Sequence, residues 1–280
     1  MTNRRTSPLF RPIWPTALAA AISAALGPVS LAQPPNMPAP VTLRADTGRP
    51  VADALDQVQR LFVSPIAYEE LPFLFPGDVQ GPAVRHFPSN PEAFWFTLGP
   101  SDSNPYLAAQ TVLYNYTNVG LPGVYQAVQK NGWVNVAPVR VASADGSIRD
   151  VTPVMSQRVT FPKAVRDARA TIELIASQIS QESGVRVKVL NLPFMNGATL
   201  EMGASNEPAS DAIATDLAAL MGRQVSFRCL WEPTEKDYYL NVAIVAPPNP
   251  YKGPPPPRIL HPTLQPGPNT NNPWFNKVPK

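Results

Sequence analysis

Residues 198–213, ATLEMGASNEPASDAI, read as a strand that turns and starts a helix, and residues 41–55, VTLRADTGRPVADAL, read the same way. In each, a Thr-Leu pair in an extended run leads to a proline, then to Ala, Asp and an aliphatic residue. Proline fits the first helical turn, because the N–H groups there have no intrahelical acceptor to lose. Beyond it, Val51, Leu55, Val58 and Phe62 share one helical face, as do Ile213, Leu217 and Leu220. Gly222 is placed to stop the second helix.

Two more helices are predicted on either side. Residues 164–183 put Ala168, Ile172, Ile175 and Ile179 on one stripe and stop at Gly184. Residues 105–118 start from Asn104 as a cap, with Pro105 at the first helical position, and stop near Gly120. Apolar runs at 123–129, 133–141, 185–190, 224–231 and 238–245 predict strands. Lys130-Asn131-Gly132 signals a hairpin, and residues 232–237 separate another pair of strands. The order over 157–245 is therefore β-α-β-β-α-β-β, and 41–143 gives the same order with an insertion at 69–98. Leu71-Pro72-Phe73 and Leu192-Pro193-Phe194 fall just after the second strand of each. The predicted class is α+β: two tandem two-layer units of small mixed sheets with helices, joined by a linker at 144–156.

Thr199-Leu200, Asn206-Glu207-Pro208, Asp211-Ala212-Ile213, Gly222-Arg223-Gln224-Val225 and Tyr239-Leu240-Asn241-Val242 together resemble the secretin and TonB short N-terminal domain. Residues 41–55 carry the same grammar more weakly. The resemblance implies a periplasmic α+β module that forms rings at secretin entrances or relays signals from outer-membrane receptors. Members of those families continue into a barrel or a channel domain. The stretch 246–280 offers no barrel strands, so a free-standing tandem module is expected.

The N-terminus carries Arg4, Arg5 and Arg11, an apolar core at 16–26 and Ser30-Leu31-Ala32, the pattern of a secretory signal cleaved after Ala32. Residues 33–40 form a Pro-rich linker. Of 36 prolines, 12 lie in residues 246–280, which read as a disordered or polyproline II tail. The net charge of +3 comes from 23 basic and 20 acidic residues, and the three signal arginines account for all of the excess. A neutral mature chain whose basic excess sits in its tail lacks the basic face that nucleic acid requires. It also lacks a membrane span once the signal is removed.

Candidate chemistry is sparse. His86 has no second histidine in the body and reads as a loop residue, and His261 lies in the tail. Cys229, in an apolar strand beside an outward-facing Arg228, reads as a buried inert thiol. Glu69-Glu70 would point to opposite faces of a strand, and Glu232, Glu235 and Asp237 sit in a hairpin, so both groups read as solvated. No motif calls for a catalyst, a metal or a cofactor. The candidate partner-binding residues are the aromatics of the insertion: Phe73, Phe75, Phe87, Phe94, Trp95 and Phe96. The expected function is non-enzymatic protein interaction in the bacterial envelope, with a protein partner and a possible homo-oligomer. The alternatives are an envelope hydrolase or carbohydrate-binding enzyme with a cleft between the repeats, and a ring-forming structural subunit.

Overall fold

The computed structural model describes residues 40–45, 49–72, 94–119, 123–142, 147–190, 192, 195, 197–221, 225–233 and 235–245. The signal at 1–32, all but the last residue of the linker at 33–40, the tail at 246–280, Phe73, Phe75, Phe87, His86 and His261 lie outside them.

The first half runs β1 (Val41–Ala45), α1 (Pro50–Phe62), β2 (Ile66–Glu69), β3 (Phe94–Leu98), α2 (Pro105–Asn118), β4 (Val124–Lys130) and β5 (Trp133–Ala142). A short strand β6 (Ile148–Asp150) and one 3-10 turn (Val154–Ser156) lead to the second half. That half runs β7 (Arg158–Asp167), α3 (Ala168–Ser183), β8 (Val187–Leu190), β9 (Thr199–Pro208), α4 (Ala209–Met221), β10 (Val225–Glu232) and β11 (Asp237–Ile244). The fold is α+β.

Local chemistry accounts for the element ends. Asn104 caps α2 by accepting the Leu107 N–H at 3.0 Å, with Pro105 behind it. Helix α3 starts at Ala168, the first residue of its apolar stripe and four residues after the predicted start at 164. Residues 164–167 stay paired with β9, and the Asp167 carboxylate caps the helix by accepting the Ala170 N–H at 2.9 Å. Gly184, at φ 70, ends α3. In the β4–β5 turn Asn131 and Gly132 both have positive φ, 49 and 80, as a two-residue hairpin loop with the twist of its strands requires.

Strand pairing repeats between the halves. β1 pairs antiparallel with β3, and β7 with β9. β2 joins the β4–β5 hairpin parallel to β5, and β8 joins the β10–β11 hairpin parallel to β11. Matching hydrogen bonds fix the equivalence. Val134 N–H donates to the Pro65 carbonyl at 3.2 Å, as Tyr238 N–H does to Arg186 at 2.8 Å. The Ile66 N–H reaches Gln59 on α1, and the Val187 N–H reaches Ser180 on α3 at the same spacing. Helix α1 thus corresponds to α3. The two quoted strand–turn–helix stretches lie on α1 and α4, which are not equivalent, because Pro at a helix start followed by small and aliphatic residues is a local grammar that any of these helices can use.

Each half keeps one small sheet of its own, β1 with β3 and β7 with β9, while the remaining strands of the two halves join. β2 also pairs parallel with β10, Tyr68 opposite Arg228 and Glu69 opposite Cys229, so that one sheet runs β4-β5-β2-β10-β11-β8 with β6 on β5. The 144–156 segment supplies β6 and the 3-10 turn to this body. Alternation along the strands separates the two cores. Ile66, Tyr68, Val134 and Val136 pack with Leu55, Val58, Ala109 and Val112 of α1 and α2. Phe227, Cys229, Tyr238 and Leu240 pack with Ile172, Ile175, Ile213 and Leu217 of α3 and α4. Tyr68 faces the first core and Cys229 the second, so the helices of the two halves cover opposite faces of one sheet.

A shared sheet couples the halves, so urea should unfold them together. Tryptophan fluorescence and far-UV circular dichroism are expected to give one coincident transition. Two separated transitions would contradict the fused sheet.

Candidate functional site

The join between β2 and β10 brings together three buried ionisable side chains, Glu69, Glu70 and Arg228. Glu69 points into the second core and accepts the N–H groups of Val154 at 2.7 Å and Met155 at 2.9 Å, the start of the 3-10 turn. Burial pushes its carboxyl up to about 8, against the pull of those two hydrogen bonds. Glu70 donates its own N–H to the Cys229 carbonyl at 2.8 Å, and its carboxylate accepts the Trp231 N–H at 2.8 Å and pairs with Arg49. Arg49 also reaches the Trp231 carbonyl at 3.1 Å, and the Tyr238 hydroxyl donates to the Glu70 carbonyl at 3.0 Å. From the other strand, Arg228 crosses back to the Ile66 carbonyl and to Asp56 on α1.

Beside this join lies a groove of about 270 Å³ between the halves. Trp133 and Phe227, with ring centroids 6.3 Å apart, contribute aromatic surface. Asn131, Asn135, Ser210 and Thr215 add polar groups, and Lys130 pairs with Asp211 across it. Lys130 and Asp211 are the only ionisable residues lining the groove among the described residues, and each is engaged by the other.

The predicted site residues divide. Phe94, Trp95 and Phe96 belong to β3, which pairs with β1, so they complete the first half and are not part of an added loop. Phe96 is fully buried in the core and presents no surface to a partner. Trp95 is half-buried with the Arg44 guanidinium 5.3 Å from its ring centroid. Arg228 does not face outward, because β10 is a central strand with a core on each side. Glu69 and Glu70 are buried for the same reason. Of the hairpin carboxylates, Asp237 is buried and pairs with Arg186 and Lys188, while Glu235 holds Lys188 and Tyr239. Cys229 is buried, and burial first and Glu69 second raise its thiol well above the usual range. Two adjacent carboxylates next to an apolar strand were the available sequence signal for the join.

Among the described residues no helix is long and apolar enough to cross a membrane. No family model, curated protein or solved structure matches this chain.

Truncating Arg228 to Ala leaves the Ile66 carbonyl and Asp56 without their partner, and is expected to cost about 1–3 kcal/mol in urea unfolding. Asp56→Asn should cost much less, because Asp56 is 44% exposed. The Glu69 carboxyl binds its proton more tightly when folded. Its contribution is therefore full below the ordinary value of 4.5 and is lost as pH rises through about 8. The wild-type urea midpoint should thus fall relative to that of Glu69→Gln between pH 5 and 8. A constant difference across that range would mean that Glu69 stays ionised.

Proposed function

We propose that this chain is a non-enzymatic protein-interaction module of the bacterial envelope, periplasmic or secreted, and that it binds through the ends of its sheet. One observation carries the reading. β4 and β8 each have a strand on one side only among the described residues, and each carries an exposed apolar residue: Val128 is 49% and Leu190 40% exposed. An unpaired strand edge offers a row of main-chain donors and acceptors to an incoming strand. Three buried groups at the join support the same reading. Glu69, Glu70 and Cys229 are buried and tied to the backbone or the core of the chain, and the ion pair of the groove is closed on itself. The envelope location rests on Arg4, Arg5, the apolar stretch 16–26 and Ser30-Leu31-Ala32.

A photo-cross-linking residue placed at 128 or 190 in living cells is expected to capture a protein partner, while one at Glu173, on the exposed face of α3, captures none. Equal capture at all three positions, or none at any, would remove the reading.

A further inference from the structure

The chain already contains one example of the contact that its two outer edges lack among the described residues. Inside the molecule, β2 of the first half takes β10 of the second as a parallel neighbour. The hydrogen-bond equivalences make β8 the counterpart of β2 and β4 the counterpart of β10. Among the described residues the sheet therefore ends in one free edge of each kind. Direction is also compatible. β10 is antiparallel to β11, which is parallel to β8, so β8 runs opposite to β2. β4 is antiparallel to β5, which is parallel to β2, so β4 also runs opposite to β2. A second chain in the same orientation brings its β4 parallel to β8, as β10 lies parallel to β2.

We infer that copies of this chain associate head to tail, β8 of one pairing in parallel with β4 of the next, in the register that β2 and β10 use. The inference rests on the edge-binding reading and names its partner as a second copy. In that register Val189 and Leu190 lie opposite Gln126 and Ala127. Val128 takes the place of Leu230, which packs against the first core from β10, and so is covered by the neighbouring copy beside Val189. Leu190 takes the place of Glu69 and turns towards the α2 side of the next copy, where no buried charge has to be satisfied. Gln126 stands where Arg228 stands, and exposed Ser177 on α3 stands where Asp56 stands. The inner ion pair thus becomes a neutral amide and a hydroxyl, each able to donate and accept. An interface between two different patches does not close on itself as a two-fold dimer does, and the second half is already turned over relative to the first. Two halves restore the starting orientation, and growth continues.

Sedimentation velocity and light scattering of the chain as the cell makes it should show a mean mass that climbs with concentration and does not plateau at a dimer. Val128→Lys spoils only the β4 edge, and Leu190→Lys only the β8 edge. Each alone should be monomeric, with association weakened by at least about tenfold. An equimolar mixture should form a dimer and nothing larger, because one intact edge of each kind remains. Matching circular dichroism and melting temperature show that both variants fold. A dimer formed by either variant alone, or a wild-type chain that stays monomeric at every concentration, overturns the inference. If the wild-type chain is monomeric while a cross-linker at 128 captures a different protein, edge binding stands and self-association falls.

Discussion

The parallel contact between β2 and β10 makes one body of this chain. It is short, with only Tyr68 and Glu69 in register with Arg228 and Cys229, so main-chain hydrogen bonds alone would hold it weakly. Side chains supply the rest. The Glu70 carboxylate reaches across to the Trp231 N–H, and Arg228 reaches back to Ile66 and Asp56. Taking such charges out of water is costly, and a well-packed apolar seam would hold as well or better. What the charges add is register. A slip of one residue would set Arg228 and Glu70 against apolar neighbours and leave them buried without partners.

The same contact explains why two similar halves do not act as beads on a string. Because it joins the edge of one hairpin unit to the edge strand of the other, the helices fall on opposite faces of the sheet, and each half lends a wall to the other's core. Ala67 and Trp133 of the first half sit in the second core, and Leu230 of the second packs against the first. The groove beside Lys130 and Asp211 follows from this geometry, since it is the space left where the first hairpin passes the start of α4.

Local signals were readable in the residues. The helix starts at Pro50 and Pro105, the cap at Asn104, the stop at Gly184 and the Asn131-Gly132 turn each follow from short-range sterics and hydrogen bonding. So did the order of elements in the second half and the burial of Cys229. The non-local features were not readable. Phe94-Trp95-Phe96 looked like an added aromatic patch because its partner, β1, lies about fifty residues upstream. Arg228 looked outward because strand alternation gives one face to solvent, a rule that fails for a central strand with a core on both sides. Glu69 and Glu70 looked solvated because nothing nearby in the chain announces the N–H groups of Val154 and Trp231 that receive them. The junction that organises the molecule was thus written in residues whose partners lie far away in sequence.

Amide hydrogen exchange at high dilution tests the junction most directly. If β2 and β10 hold the halves in one sheet, the Glu70 and Trp231 amides exchange only when the whole chain unfolds, at the same free energy as the amides of Ile172 and Leu55 in the two cores. Exchange of Glu70 and Trp231 as fast as that of Gln129 on the outer strand β4, with both cores still protected, would show that the halves part independently, and would contradict the account.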